Sequence, residues 1–297
     1  PSPAPGSETA SAPSPAPAPG RDLLRVFFLD VGQGDAILVR TPGGRVLLVD
    51  GGPPEAGPRL VRDLKRLGVK RIDVLLSTHP HADHIGGLLE VLPAFPVGVV
   101  YDPGVVHTTS TFERYLRLIE QKGIPFRLAR RGVELPLEEG IKAQVLWPGA
   151  EAVARAEEEG DLNAASAVVR LTYGQVALLL TVDIEREQEE ALLRQSDVRA
   201  QILKVAHHGS NSSTGSTFLA RVGPRVAVIQ VGRDNPYGHP SRQVLARLAA
   251  RGVEVWRTDQ NGTVILAIDG STWQIKAERG EAGGSGERGD AAGAGRR

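Results

Sequence analysis

The sequence predicts an α/β protein whose strands form mixed sheets. Short apolar runs typical of strands alternate along the chain with amphipathic stretches of helical period. Turn residues at 42–44, 173–174 and 269–270 join neighbouring strands as hairpins. The second half repeats the theme of the first, hairpin strands followed by helices. Two mixed sheets face to face with helices outside, an αββα sandwich, would account for this repetition, but the pattern by itself supports only an α/β class with mixed sheets.

Each predicted element has an apolar pattern typical of its class. The first three strands are short apolar runs, and the fourth, 72–77, leads directly into a polar loop. The apolar face of the helix at 111–122 consists of Phe112, Tyr115, Leu116, Leu118 and Ile119. The predicted strands are 23–29, 36–40, 45–49, 72–77, 167–172, 175–181, 201–205, 226–231, 253–257, 263–268 and 272–276. The predicted helices are 59–67, 84–91, 111–122, 185–194, 216–222 and 241–251.

Both ends of the chain have compositions that favour disorder. Apart from one Thr and one Glu, the first 20 residues are Pro, Ala, Ser and Gly, which leaves little apolar surface to bury. Residues 279–297 are Gly-rich and charged. We therefore predict a disordered linker over 1–20, one folded domain over 21–278 and a disordered tail over 279–297.

The composition limits the chemistry that the protein can perform. Its 297 residues include 35 Lys and Arg against 35 Asp and Glu, with seven His and no Cys. A net charge of zero argues against binding nucleic acid through a bulk basic field. Without Cys, the chain has no thiol nucleophile or zinc–thiolate site, so His and carboxylates are its strong metal ligands. No segment reaches the ~18–20 apolar residues of a membrane span.

The sharpest motif is a run of three His and one Asp directly after an apolar strand. Residues 78–84 read Thr-His-Pro-His-Ala-Asp-His. The alternate residues His79 and His81 can face one side and share a metal, while Asp83 and His84 begin the next helix and can reach a second. Imidazole and carboxylate ligands suit Zn²⁺, Mn²⁺ or Fe. The alternative is a surface loop that is rich in His by chance.

Three other strand ends carry residues that suit such a centre. Asp50 can accept a hydrogen bond from a metal-bound His, although Asp-Gly is also an ordinary turn. Asp183 can bridge two metals, or it can cap the helix that begins near residue 185. His207 follows another strand and can serve as a sixth ligand, although a packed surface residue is also possible.

Together these motifs resemble the metallo-β-lactamase superfamily and, within it, the ComEC-type domain of bacterial DNA uptake. The HxHxDH signature of the superfamily is intact at 79–84. The narrower resemblance rests on segments 28–36, 207–213, 235–240 and 257–262, which lie in the family's order. The resemblance implies the metallo-β-lactamase αββα sandwich, and it is the source of the connection with DNA.

The resemblance also implies roles for individual residues. The implied ligands of two divalent metal ions, Zn²⁺ or Mn²⁺, are His79, His81, Asp83, His84, Asp183 and His207. The implied catalytic residues are Asp83, His208, His239 and Lys204, with Asp50 and Asp35 as orienting carboxylates. The candidate substrate-binding residues are Asn163, Ser166, Ser210, Ser212, Ser213 and Asn235. The last four could equally be loop-capping groups.

The chain departs from the family pattern at two positions. The resemblance assigns His79 and His81 to metal one, Asp83, His84 and His207 to metal two, and Asp183 as the bridge. Most members place a further His on metal one, whereas this chain has Asn163 and Ser166 in that region, with Ala164 in place of a second Asn. This difference weakens metal one, favours an oxygen-tolerant metal such as Mn²⁺, or leaves room for substrate. Val182 stands where the family usually has Gly.

The implied function is a dinuclear metal-dependent hydrolase, specifically a phosphodiesterase or nuclease acting on DNA outside the cytoplasmic membrane. Two metals would make hydroxide available at neutral pH and neutralise phosphate oxygens, which reconciles a neutral chain with a polyanionic substrate. In ComEC-type proteins this domain is attached to a membrane channel, so a channel domain is an expected partner and the cell-envelope face an expected location. The alternatives are a hydrolase of β-lactams, lactones or thioesters, and a non-catalytic DNA-handling module.

Two further residues receive only ordinary interpretations. His107 has no partner in sequence and is expected to be a solvent-exposed loop residue. Tyr237 could stack on a base, but a buried aromatic that anchors its loop is the favoured interpretation.

Overall fold

The protein is described by a computed structural model that covers residues 23–279. The predicted linker over 1–20 lies outside the described residues, as does the predicted tail over 279–297 apart from Arg279. The strands are β1 (Leu24–Phe28), β2 (Ile37–Arg40), β3 (Val46–Val49), β4 (Ile72–Leu76), β5 (Val97–Asp102), β6 (Phe126–Leu128), β7 (Glu134–Leu135), β8 (Ile141–Trp147), β9 (Val168–Tyr173), β10 (Val176–Leu180), β11 (Ile202–Lys204), β12 (Val226–Ile229), β13 (Glu254–Arg257), β14 (Val264–Ile268) and β15 (Trp273–Ala277). The helices are α1 (Gly57–Arg66), α2 (Ala82–Ile85), α3 (Leu88–Ala94), α4 (Ser110–Gln121), α5 (Ala150–Glu159), α6 (Arg186–Gln195), α7 (Ser216–Val222), α8 (Arg242–Ala249) and α9 (Thr258–Asn261).

Two mixed sheets form the centre of the fold. Within residues 23–279, the larger sheet has the strand order β15-β14-β1-β2-β3-β4-β5-β6, and the smaller has β13-β12-β11-β10-β9-β8-β7. Successive residues of a strand point to opposite faces of its sheet. The inward-facing side chains of both sheets, among them Phe28, Val49, Val169 and Leu178, therefore meet in one core.

Helices cover the outer face of each sheet. On the larger sheet, Leu38 and Leu75 pack with Leu60 of α1 and Tyr115 of α4. On the smaller sheet, Leu203 and Ile229 pack in one cluster with Phe218 of α7 and Leu248 of α8. The layers are helix, sheet, sheet and helix, which confirms the predicted αββα sandwich. No helix in this part of the chain is both long and apolar enough to cross a membrane.

The predicted helix at 84–91 is two helices, α2 and α3, because the chain bends at a pair of glycines. A Cβ atom at Gly87 would lie 2.0 Å from the carbonyl oxygen of Gly51, and one at Gly86 would lie 2.3 Å from Cδ of Pro54, both in the segment after β3. This close approach packs the loop after β3 against the HxHxDH segment. The sequence analysis also missed β5 to β8 and α5, a surface helix that buries only Val153 and Ala156.

The order of the strands collects several loops at one end of the sandwich. Strands β3 and β4 are parallel in the larger sheet, and β10, β11 and β12 are parallel in the smaller. Carboxyl ends of parallel strands meet at the same edge of a sheet, which is where such folds bind ligands. The loops that follow these strands contain Asp50, the HxHxDH segment, Asp183, the His207–His208 pair and His239.

Candidate metal centre

Four side chains form a compact set of nitrogen and oxygen ligands. One atom each from Asp83, His84, Asp183 and His208 lies within 4.8 Å of the other three. The Nε2 atom of His84 is 3.3 Å from Oδ2 of Asp183, and Nε2 of His208 is 3.4 Å from the same oxygen. Asp83 is partly exposed, whereas the other three residues are buried. Converging imidazoles and carboxylates at this spacing can surround a divalent cation.

Hydrogen bonds orient the two buried histidines of this set. Nδ1 of His84 lies 2.8 Å from Oδ2 of Asp50, and Nδ1 of His208 lies 2.9 Å from the carbonyl oxygen of Gln230. Both partners are acceptors, so Nδ1 is the donor in each case. In the neutral imidazole, the lone pair of Nε2 then points at the ligand cluster, which is the tautomer that binds metal.

The centre favours positive charge. Burial opposes protonation of His84, but Asp183, Asp83 and Asp50 together hold its pKa well above the usual value. Burial likewise opposes protonation of His208, and Asp183 and Asp35 raise its pKa well above the usual value. A divalent cation would supply the same positive charge in place of these protons.

His79 and His81 extend the cluster. His79 is fully buried, and its ring centroid lies 4.8 Å from that of His81 and 4.1 Å from that of His84. Burial, with the neighbouring charge of His84, lowers the pKa of His79 well below its usual value, so the ring is neutral. Its Nε2 atom is buried and has no hydrogen-bond partner among residues 23–279. An unsatisfied buried polar atom costs about 1–3 kcal/mol, so the ring fits a metal ligand.

Asp50 ties this part of the centre together. Its carboxylate is fully buried and accepts hydrogen bonds from the backbone N–H of Thr78 at 2.8 Å and from the Thr78 hydroxyl at 2.6 Å, besides the bond from His84. Because the Thr78 hydroxyl proton is used on Asp50, its oxygen can accept from Nδ1 of His79, 3.2 Å away. Asp50 thus has the contacts that the sequence predicts for an orienting carboxylate.

A buried ion pair joins the two sheets beneath the centre. Asp35 lies in the loop between β1 and β2, and its carboxylate pairs with the ammonium group of Lys204 at the end of β11. Both side chains are almost completely inaccessible to solvent. The Lys204 ammonium also donates to the carbonyl oxygen of Val182 at 3.3 Å and lies 4.0 Å from Oδ1 of Asp183. These contacts place Lys204 behind the ligand carboxylates, and its predicted role of electrostatic help in catalysis stays a prediction.

The loop that carries Asp35 approaches the HxHxDH segment very closely. The backbone N–H of Asp35 donates to the carbonyl oxygen of Asp83 at 3.3 Å. A Cβ atom at Gly34 would lie 2.1 Å from that same oxygen, and the φ angle there is +137°. Only glycine fits both the space and the backbone conformation.

His207 lies at the edge of the ligand cluster. Its Nε2 atom is 3.9 Å from Oδ2 of Asp183, and its Nδ1 atom is 3.0 Å from Oε1 of Glu185. The side chain is 22 % exposed, against 2 % for His208. The sequence analysis assigned a ligand role to His207 and missed Glu185, whose only signal is a second carboxylate two residues after Asp183.

Left-handed backbone conformations aim these residues. His207 and His208 have φ angles of 48° and 52°, and Val182 has a φ of 47°. Such conformations cost of order 1–3 kcal/mol for residues other than glycine and concentrate at functional sites. The carbonyl oxygen of Val182 accepts the backbone N–H of His207 at 2.7 Å. Val182, which replaces the glycine usual in the family, therefore adopts a conformation that glycine would adopt without strain.

Some predicted substrate-binding groups already bond within their own loops. The hydroxyl of Ser213 is buried and donates to the carbonyl oxygen of Ala206 at 2.9 Å. The hydroxyls of Ser210 and Ser212 are 2.8 Å apart, and Ser212 also donates to Glu185 at 2.8 Å. Contacts of these serines with substrate stay a prediction.

Asn235 closes the loop after β12. Its Nδ2 donates to the carbonyl oxygens of Gly232 and His239 at 3.0 and 2.7 Å, and its Oδ1 accepts the backbone N–H of His239 at 3.0 Å. Asn163 and Ser166 differ, since Oδ1 of Asn163 and Oγ of Ser166 are buried without a hydrogen-bond partner in the described part of the chain. The Asn163 side chain is near enough to His81 to favour its protonated form, although burial lowers the pKa of His81 overall. Asn163 therefore offers a free acceptor beside His81, and the contact of Ser166 with substrate stays a prediction.

Two interpretations of surrounding residues are wrong. His107 is only partly exposed, and its ring centroid lies 6.1 Å from that of His81, so it borders the centre. Tyr237 is 67 % exposed, where a buried loop anchor was expected. The Asn235 side chain makes the hydrogen bonds that close this loop, and the tyrosine ring lies outside it.

Comparison with known proteins agrees with this fold and site. The family model of the metallo-beta-lactamase superfamily matches residues 29–233, and the chain belongs to that superfamily. It is 32% identical over 257 residues to ComE operon protein 3 of Bacillus subtilis (strain 168), covering 80% of this chain and 32% of that protein. It is 30% identical over 252 residues to Competence protein ComA of Neisseria gonorrhoeae, covering 84% and 33%. These relatives confirm the ComEC-like character of the domain.

The chain spans about a third of the length of these relatives. A solved structure of a mutant of the β-hydroxylase CmlA superposes with a TM-score of 0.53 at 16% identity, covering 85% of this chain and 55% of that one. At this low identity the likeness concerns the fold alone.

Proposed function

We propose that the protein is a dinuclear metal-dependent phosphodiesterase that cleaves DNA outside the cytoplasmic membrane. The observation that carries the proposal is the buried cluster of imidazole and carboxylate atoms, in which Nε2 of His79 has no partner among residues 23–279. The similarity to proteins named for competence and to "Recombination protein 2" of Haemophilus influenzae supports DNA as the substrate.

The proposed ligand set differs from the sequence assignment in one residue. Asp83, His84 and His208 would hold one metal, Asp183 would bridge, and His79 with His81 would hold the other. We substitute His208 for His207 because His208 belongs to the compact set and has a buried Nε2 without a hydrogen-bond partner in the region described. Two such ions, Zn²⁺ or Mn²⁺, activate water and neutralise phosphate oxygens when they are bound.

The surrounding residues would bind and orient the phosphodiester. Asp35, Asp50, Asp83 and Asp183 bring four carboxylates to the centre, offset in the metal-free protein by Lys204 and by the protons that His84 and His208 hold. Bound metal ions would replace those protons and supply the positive charge that attracts a phosphate group. Asn163, whose free Oδ1 lies near His81, would contact the substrate where most members of the superfamily have a third histidine, and the buried hydroxyl of Ser166 is the second candidate in this segment.

His239 is the proposed residue for the leaving group. Its ring centroid lies 5.8 Å from that of His207, at the rim of the cluster. Burial, with the charges of His208 and His207, lowers the pKa of His239. The ring is therefore neutral near pH 7, and its N–H can donate a hydrogen bond to a departing oxygen.

The proposed setting follows from the relatives. They are about three times as long as the region matched here, and we propose that a membrane channel of the DNA-uptake system is the partner of this domain.

Cleavage assays with the metal-loaded protein test the proposal. Purified protein with Mn²⁺ or Zn²⁺ is incubated with single-stranded DNA, plasmid and nitrocefin. We expect cleavage of DNA that is lost on chelation and in Asp83→Ala and Asp183→Ala, while Asp197→Ala, which removes an exposed carboxylate paired with Arg199, retains it. Turnover of nitrocefin with intact DNA would instead support a β-lactam hydrolase. DNA cleavage that survives both ligand substitutions would refute the metal mechanism.

A further inference from the structure

An exposed aromatic ring stands beside the candidate metal centre. Tyr237 is 67 % exposed, and its ring is stacked on that of His239 with centroids 5.7 Å apart and an interplanar angle of 25°. The His239 ring is 5.8 Å from that of His207, whose Nε2 is 3.9 Å from Asp183. A continuous run of rings therefore leads from solvent to the ligand cluster.

The loop holds this ring in place. The three hydrogen bonds of the Asn235 side chain close the loop from Gly232 to His239. Beyond it, the backbone N–H of Ser241 donates to the carbonyl oxygen of Gly209 at 2.8 Å. A Cβ atom at Gly209 would lie 2.5 Å from Cβ of Pro240, so the two loops are in intimate contact. Tyr237 is thus exposed on a braced loop, and little ordering is needed before a ligand can stack on it.

The open face of the ring limits what can bind. His239 covers one face of Tyr237, and the exposure of the side chain leaves the other face accessible. A flat aromatic group stacks on such a face with little preference among bases. In a duplex, the faces of a base are already occupied by its neighbours, so stacking here requires an unpaired base.

We propose that Tyr237, supported by His239, stacks on an unpaired nucleobase next to the phosphate at the metal centre, so that single-stranded DNA is preferred over duplex. This inference rests on the proposed phosphodiesterase function. It adds a base-binding subsite to a centre whose other groups address only phosphate and metal.

The experiment distinguishes binding of the base from binding of the sugar–phosphate backbone. Steady-state cleavage by the metal-loaded protein is measured on a single-stranded oligothymidylate and on an abasic strand of the same length, with methyl 4-nitrophenyl phosphate as a minimal diester. Tyr237→Ala is expected to raise KM for the oligothymidylate about 5- to 150-fold, the range for loss of one base–aromatic stack. Tyr237→Trp is expected to restore a low KM for the oligothymidylate. On the abasic strand, Tyr237→Ala is expected to leave KM nearly unchanged.

The matched control is Phe126→Ala, which removes another exposed aromatic ring, 41 % exposed, on strand β6. We expect Phe126→Ala to leave KM unchanged for both the oligothymidylate and the abasic strand. An equal rise in KM for the abasic strand would overturn base stacking, because the ring would then contact the sugar–phosphate backbone. An unchanged KM in Tyr237→Ala would overturn it as well. Failure to cleave any of the three diesters would instead refute the proposed function itself.

Discussion

The buried Asp35–Lys204 pair makes a sharp prediction about stability. The two groups belong to different sheets and are almost fully inaccessible to solvent. Burial raises the pKa of Asp35, but the opposing effects of Lys204 and His208 prevail and hold it below the usual value. Removing one partner leaves a buried charge without its principal counter-ion, and breaking comparable buried pairs costs about 3–5 kcal/mol of unfolding free energy. We therefore expect the free energy of unfolding to fall by this amount in Lys204→Met and in Asp35→Asn.

The double variant, Asp35→Asn with Lys204→Met, should lose much less unfolding free energy than the two single variants lose in sum. Replacing both partners removes the charges together, and buried pairs replaced in this way are often close to neutral. We expect a coupling free energy of about 2 kcal/mol or more, since residues in one charge network are strongly non-additive. The contact between Lys204 and Asp183 reduces the coupling, because Asp183 also loses a cation in Lys204→Met.

The assay is urea unfolding of the metal-free protein, followed by tryptophan fluorescence. A chelator is present throughout, because bound metal would add its own stabilisation to the folded state. The matched control is the exposed pair Asp197–Arg199, with side chains 50 % and 79 % exposed, for which no measurable coupling is expected. Strictly additive losses for Asp35 and Lys204 would refute the reasoning that the pair acts as one buried unit.

Two further predictions concern other buried carboxylates. Burial raises the pKa of Asp102 from 3.8 to about 6, so the folded state holds its proton more tightly and stability falls as pH rises from about 4 to 6. Asp102→Asn can keep contacts with Ser77 and Gly104. Its free energy of unfolding should exceed that of the native chain by up to about 3 kcal/mol at pH 8 and by about 1 kcal/mol at pH 4.5. An excess that does not change with pH in urea unfolding would contradict this. Asp50→Asn should weaken metal binding about 10- to 100-fold in chelator competition, because it disturbs the bond that orients His84. Asp63→Asn, on the surface of α1, is its control, and equal affinities in the two variants would count against an orienting role for Asp50.

Much of the fold follows from local pattern. Apolar runs with turn residues at their ends predicted eleven strands close to their observed positions, because buried strands leave a signal that needs no knowledge of their neighbours. Of the missed elements, β5 and β8 carry buried apolar residues that the sequence analysis overlooked, whereas β6 and α5 lack that signal. Strand β6 is exposed at all three residues, and helix α5 buries only Val153 and Ala156. Their positions depend on packing against the rest of the molecule.

In the candidate site, too, the sequence predicted some residues and missed the arrangement of others. The HxHxDH run, Asp50 and Asp183 were visible in the sequence because each directly follows a strand and its residue type is unusual there. The distinction between His207 and His208 was not visible, because adjacent residues differ only in where the left-handed backbone aims them. The burial of Lys204 against Asp35 was equally hidden, since it depends on the two sheets meeting face to face.

Residue type and spacing along the chain therefore specified the fold class and the chemical nature of the ligands, since both are written in short local segments. The arrangement of the other side chains around the site depends on contacts between segments that are distant in the sequence. The ring of His107 comes within 6.1 Å of His81, and Tyr237 stacks outward on His239, only because separate loops gather at the carboxyl ends of the strands. Hydrogen bonds within the loop, such as those of Asn235, decide which side chains remain outside. Such contacts arise from chain packing, and no local pattern encodes them.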